Sequence, residues 1–125
     1  MPRFVVHRHA AKKLHWDFRL EMNKVLKSWA VPKEPPRKKG VKRLAIQVED
    51  HALSYINFEG TIPEGMYGAG SVKIWDKGKY KLINKKDYKL VFSLFGKRMK
   101  GEYVLLKFKT KSDKDKGRTW LLFKK

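Results

Sequence analysis

His9-Ala-Ala-Lys-Lys-Leu-His15-Trp-Asp17-Phe-Arg19-Leu-Glu21 alternates apolar and polar residues without a slip from Leu14 to Glu21. A strand sends successive side chains to opposite faces. His15, Asp17, Arg19 and Glu21 therefore share one face, and Leu14, Trp16, Phe18 and Leu20 share the other. The second is a core face; the first sets imidazole, carboxylate and guanidinium side by side. His9 returns to the same place across the short connection from Ala10 to Leu14.

Outward from this stretch, period-two patterning recurs along the chain and sustained helical periodicity does not appear. It predicts strands at Phe4–Arg8, Leu14–Glu21, Val25–Val31, Leu44–Glu49, Ser71–Trp75, Tyr80–Ile83, Lys89–Phe95, Glu102–Phe108 and Thr119–Lys124. Met22-Asn23-Lys24 reads as a hairpin turn, and Asp76-Lys77-Gly78-Lys79 as a second, with Gly78 supplying a positive φ. The expected fold class is mainly β, a single small antiparallel β-barrel domain over residues 1–125 with functional loops and little helix. Its interior is expected to hold Trp16, Phe18, Ile46, Val48, Val104 and Leu106. Residues 32–40 and 60–70 interrupt the pattern as loops of functional length, and Ser112–Arg118 reads as a solvated hairpin loop.

Composition narrows the partners. The formal charge is +19, from 31 basic against 12 acidic residues, more than solubility requires and pointing to a polyanion, with nucleic acid first. Without cysteine there are no disulfides or thiolate ligands, so any metal site must use nitrogen and oxygen. No segment is apolar for the roughly 20 residues a membrane span needs, and the N-terminus lacks a signal-peptide hydrophobic run. The sequence is thus expected to be soluble and cytoplasmic.

Two imidazoles and a carboxylate, from His9, His15 and Asp17, would leave open coordination positions on a hydrolytic or oxygen-activating metal. Surface histidines beside an acid are the plainer reading of His15 and Asp17 alone. Arg19, next on the same face, adds a phosphate anchor and shifts the balance. Downstream, Arg43, Gln47, Glu49 and His51 are expected to face one way and Leu44, Ile46 and Val48 the other. His51, with an unperturbed pKa near neutrality, is a candidate to anchor or protonate a phosphoester oxygen, and Glu49 to orient Arg19 or a ligand histidine. The run Lys33, Arg37, Lys38, Lys39, Lys42, Arg43 reads as a footprint for a phosphate backbone.

These segments, taken in order, resemble a known family. His9-x5-His15-x-Asp17-Phe-Arg19-Leu-Glu21, Leu26-Lys-Ser-Trp-Ala-Val-Pro-Lys33, Val48-Glu-Asp-His51, Phe58-Glu-Gly-x-Ile-Pro-Glu-Gly-x-Tyr-Gly-Ala-Gly70 and Val72-x-Ile-Trp-Asp76 are similar to the 3′-phosphoesterase domain of the bacterial end-joining ligase called ligase D. The resemblance implies a small β barrel that heals 3′ ends with a divalent metal, typically manganese. It removes a terminal ribonucleotide or hydrolyses a 3′-phosphate, leaving a 3′-hydroxyl. It also implies His9, His15 and Asp17 as metal ligands, and Arg19 and His51 as contacts to the scissile phosphate. Lys33, Arg43, Glu49 and Tyr55 fall on positions the family uses in or around its site. The chain departs from the family's pattern at Trp16, where tyrosine is commoner, and at Asn23-Lys24, which replaces a common Asp-Gly turn.

The expected partners are DNA or DNA/RNA primer 3′ ends, as primer–templates, with no membrane. With no polymerase or ligase module in the sequence, a free-standing form that cooperates with a DNA ligase or polymerase in trans is expected. The alternative is a non-catalytic basic β-barrel module that binds nucleic acid, supported by the charge and by aromatics able to stack on bases.

Overall fold

The computed structural model describes residues 1–107 and 117–125. The expected Ser112–Arg118 loop lies largely outside these residues, as does Phe108 at the end of an expected strand. The strands are β1 (Arg3–Ala10), β2 (Leu14–Met22), β3 (Val25–Val31), β4 (Lys42–His51), β5 (Gly60–Ile62), β6 (Gly70–Lys86), β7 (Lys89–Phe95), β8 (Lys100–Lys107) and β9 (Thr119–Lys124). A 3-10 turn, Leu53–Asn57, follows β4. Among the described residues these strands pair antiparallel, in the order β1-β2-β3-β4-β9-β8-β7-β6, and β6 pairs back with β1 to close an eight-strand barrel. β5 lies outside this ring, along the first residues of β6.

The β2–β3 hairpin forms as the sequence implies. Met22 pairs with Val25, and Asn23 and Lys24 take φ of 54° and 65°, the left-handed pair that a two-residue connection requires. The turn expected at Asp76-Lys77-Gly78-Lys79 does not exist: β6 runs unbroken from Gly70 to Lys86. Its first half pairs with β1 and its second half with β7, and a register shift opposite Val6/His7 leaves Trp75 as an extra residue within the half that pairs with β1. Gly78 is there for close approach and has no positive φ, since a Cβ at this position would strike the Phe95 carbonyl.

The barrel interior is filled by Phe4, Val6, Phe18, Leu20, Trp29, Ala45, Tyr80, Phe92, Leu94, Tyr103, Leu105, Trp120 and Leu122, with Trp16 packed against them. Trp16 and Phe18 lie where expected. Ile46, Val48, Val104 and Leu106 do not belong to this cluster; Ala45, Tyr103 and Leu105, their neighbours in sequence, face inward instead. In β4 the alternation points the wrong way: the apolar Leu44, Ile46 and Val48 share the face turned from the core, and Ala45 lies on the inward one with Gln47. The large Trp120 ring, directly opposite Ala45 in the ladder, leaves room only for the smaller side chain. Gln47 accepts a hydrogen bond from the Trp120 indole (3.2 Å), which places it on the inner side.

Asp76 closes the far side of the barrel. Its buried carboxylate accepts four backbone N–H bonds, from Lys77 and Lys97 at 2.9 Å, Arg98 at 3.1 Å and Met99 at 2.8 Å, and so moulds the β7–β8 turn. Replacing Asp76 by Ala strips these donors of their acceptor and is expected to cost roughly 3 kcal/mol of unfolding free energy. Urea titration of the two proteins checks this; a loss below about 1 kcal/mol would contradict the role.

Candidate active site

The site is built on the outer wall of the barrel, by the face that points away from Phe18 and Leu20. Antiparallel register sets His9 opposite His15 and His7 opposite Asp17 on β1 and β2. On β2 and β3 it sets Asp17 opposite Ala30 and Arg19 opposite Ser28. On β4, Val48 pairs with Ser28 but His51 pairs with Leu26, so two residues, Glu49 and Asp50, face the single Lys27. This bulge reverses the alternation. Without it His51 would share the inward parity of Ala45 and Gln47; with it the imidazole joins the outer face beside Arg19. The expected common face of Arg43, Gln47, Glu49 and His51 is thereby split.

A cavity of about 460 Å³ results, lined by His9, His15, Asp17, Arg19, Glu49, His51 and Tyr55 together with Ala11, Ala30, Val48, Ile62, Tyr67 and Gly68. The 3-10 turn brings Tyr55, and the loop between β5 and β6 brings Tyr67 and Gly68. That loop can reach β1 because Gly70 passes so close to the Ala10 carbonyl that any Cβ would collide with it.

His9, His15 and Asp17 offer one ligand atom each, all within 4.8 Å of one another. The other nitrogen of each ring is committed to a backbone carbonyl: His9 Nε2–H donates to Gly68 O (2.6 Å) and His15 Nδ1–H to Lys13 O (3.0 Å). These bonds turn the lone pairs of His9 Nδ1 and His15 Nε2 toward Asp17 Oδ2, at 3.5 and 3.3 Å. Two lone pairs facing a carboxylate repel unless a cation, or a proton, lies among them. The set therefore fits a divalent metal with nitrogen and oxygen ligands and positions left open.

A proton on His15 would answer part of the same need. The hydrogen bond to Asp17 raises the His15 pKa against the lowering effect of burial. Burial pushes the Asp17 carboxyl up, but the His15 hydrogen bond and the charge of Arg19 outweigh it and keep the group below its ordinary value.

Arg19 is 3% exposed and nearly spoken for. Its Nε–H donates to His7 Nδ1 (3.1 Å), Nη1 to Ser28 Oγ (2.8 Å) and His51 Nδ1 (3.1 Å), and Nη2 lies 3.4 Å from Asp17 Oδ2. Of five N–H groups, one on Nη2 is left over. His51 Nδ1 also lies 3.2 Å from the Glu49 carbonyl, to which it would have to donate; because a guanidinium only donates, the Arg19 bond selects the other tautomer, with Nδ1 the acceptor and the proton on Nε2. Burial and then the charge of Arg19 lower the His51 pKa, which keeps the ring neutral. Burial and Arg19 also push His7 down to about 4, fixing it as a neutral acceptor. Tyr55 covers the group, with the Arg19 guanidinium 5.0 Å from its ring centroid and Phe58 stacked on it at 4.8 Å.

The structure thus brings together His9, His15, Asp17, Arg19, Glu49, His51 and Tyr55. Glu49 is at the exposed rim, and Arg19 and the two candidate ligand histidines are held by His7, Ser28 and the carbonyls of Gly68 and Lys13. Lys33 is exposed just past β3 and does not line the cavity. Arg43 donates to the Glu34 carbonyl (2.8 Å) and lines a separate cleft with Arg37, Lys38, Lys97 and Arg98. Glu21, the last polar residue of the opening stretch, turns to Arg3 (3.1 Å). His7, Ser28 and Gly68 were missed in sequence. Only His7 left a signal there, standing two residues before His9 and so on the same strand face.

Fold and site together define a closed antiparallel β-barrel that carries a candidate His–His–Asp metal centre beside a buried arginine on its outer wall. The profile of the DNA ligase D 3′-phosphoesterase domain matches residues 7–107, and the chain belongs to this family. It is 48% identical over 111 residues to the multifunctional non-homologous end joining protein LigD of Pseudomonas aeruginosa, covering 84% of this chain and 13% of that protein. It is 47% identical over 108 residues to the LigD of Mycobacterium tuberculosis, covering 83% and 14%. With the LigD of Mycolicibacterium smegmatis it shares 39% identity over 130 residues, covering 95% and 16%. The chain therefore spans only a small part of the length of these relatives.

A metal ion competes for His15 with the proton that Asp17 stabilises there. The sign follows: above the raised His15 pKa the site is free, and below it each pH unit is expected to weaken metal affinity about tenfold, with one proton released per ion bound. Calorimetric titration with manganese in buffers of different ionisation enthalpy measures this, and a pH-independent affinity would contradict it.

Proposed function

We propose that this chain is a divalent-metal-dependent phosphoesterase that heals DNA 3′ ends, removing 3′-terminal ribonucleotides and 3′-phosphates to leave a 3′-hydroxyl. The observation that carries the reading is convergence on one cavity: three metal-type ligands, one spare guanidinium N–H and one imidazole N–H. Family membership supports the same chemistry.

His9, His15 and Asp17 would hold a divalent cation, manganese by the family resemblance, which would supply Lewis-acid polarisation of the phosphoryl group. The remaining work belongs to the side chains. Arg19, immobilised by His7, Ser28, His51 and Asp17, aims its last N–H at a phosphoryl oxygen without reorganising as charge builds. His51, neutral and with Nε2–H free of Arg19, donates a second hydrogen bond to a phosphoryl or leaving oxygen. Tyr55 shields the pair from water, and Glu49 stands at the rim. Lys33, Arg43 and the Arg37–Lys39 segment attract the backbone of a primer–template, in line with the +19 charge. The healed end would then pass to a polymerase or ligase.

A non-catalytic DNA-binding barrel remains the competing reading, and His15→Ala separates the two. The enzyme reading expects at least about a 100-fold loss of turnover on a 3′-phosphorylated primer with manganese, while primer affinity stays within about threefold. Wild-type protein that leaves this primer untouched would sink the proposal. Neutralising Lys38 and Lys39 together is expected to flatten the slope of log affinity against log salt by up to about 2, measured by fluorescence anisotropy. An unchanged slope would place the footprint elsewhere.

A further inference from the structure

Tyr67 is 99% exposed, and the next most exposed aromatics among the described residues, Phe95 and Tyr88, are near 53% and 52%. It is also the one highly exposed aromatic that lines the active-site cavity. The chain around it is well held. Met66 N–H donates to Pro63 O (3.2 Å), Ala69 N–H donates to Met66 O (3.1 Å), and the neighbouring Gly68 carbonyl takes the His9 Nε2–H at 2.6 Å. The ring is thus held out into solvent at the mouth of the cavity by a loop tied to a candidate metal ligand, where water-exposed apolar area is otherwise unfavourable. The second tyrosine of the cavity, Tyr55, is already covered by Phe58 and Arg19.

We infer that Tyr67 is the stacking platform for the nucleobase of the 3′-terminal nucleoside. This rests on the phosphoesterase reading above. A phosphoester seated against Arg19 and His51 carries a sugar and a base that extend out of the cavity, and Tyr67, in the cavity lining yet fully exposed, stands where that lining meets solvent. An open aromatic face there stacks on any base, because every base has a π-face, and so orients the end without selecting its sequence. Base-to-ring contact is made equally in the ground and transition states, so it acts on KM and not on kcat. Tyr67 is accordingly a positioning residue.

The experiment pairs Tyr67→Ala with removal of the base. Primers carrying a 3′-phosphate, with the terminal nucleoside either intact or abasic, are hydrolysed by wild type, Tyr67→Ala and Tyr67→Trp. For wild type, loss of the base is expected to raise KM about tenfold. Tyr67→Ala should show the same rise on the intact primer, no further rise on the abasic one and unchanged kcat, while Tyr67→Trp retains the wild-type KM. A fall in kcat with unchanged KM would instead assign the loop to holding His9 and overturn the inference. So would identical KM for wild type and Tyr67→Ala on the intact primer. As a readout without turnover, an all-deoxy oligonucleotide ending in 2-aminopurine with a 3′-hydroxyl is titrated to saturation. Wild type should quench the fluorophore and Tyr67→Ala should not; equal quenching by both overturns the stacking role. Tyr67-dependent quenching with no hydrolysis by wild type would keep the platform and refute the phosphoesterase reading.

Discussion

The contact between the Arg19 guanidinium and the Asp17 carboxylate sets the arrangement of everything around it. Both groups are almost fully buried on the outer wall of the barrel, where removing charge from water is costly unless each is paired and hydrogen-bonded. Arg19 meets that cost with His7, Ser28 and His51, and Asp17 with His9 and His15. No single partner suffices, so four strands must converge on this spot. The result is a fixed positive group and a fixed negative group side by side, the second suited to a cation and the first to the anion that the cation would polarise.

That convergence is made possible by departures from regular sheet geometry. A regular β4 would turn His51 inward, and the extra residue at Glu49–Asp50 delivers it to Arg19 instead. β6 carries an extra residue too, Trp75 opposite Val6/His7, within the length that pairs with β1; that first half pairs with β1 and the second half with β7, which closes the barrel. Asp76 accepts four backbone donors, so a residue of the family motif that reads as part of a turn between strands is a structural clamp about the β7–β8 turn. The loops that cover the site are then positioned by backbone contacts, the Gly68 carbonyl on His9 above all.

Charge is distributed on a longer scale. The basic segment after β3 does not enter the cavity; with Lys97 and Arg98 it forms a separate cleft. Extended chain from Ala30, which lines the cavity, to Glu34, which lines that cleft, spans at most about 14 Å, a few nucleotides of backbone. A polyanion with its end in the cavity is long enough to meet both.

Sequence by itself determined the strand-rich class, the barrel, the Asn23-Lys24 hairpin and the shared face of His15, Asp17 and Arg19. All of these are consequences of local alternation and turn chemistry, which are written in neighbouring residues. Ordered motifs further identified the family. What only the tertiary structure decided is each property that depends on register between distant strands. Those are the inward choice of Ala45 over Ile46, set by the bulk of Trp120; the continuity of β6, set by its two partners; and the arrival of His51, set by a bulge. His7, Ser28 and the Gly68 carbonyl belong with them. As residue types they say little, and they acquire roles because they are the hydrogen-bonding groups that reach Arg19 and His9 once the sheet has closed.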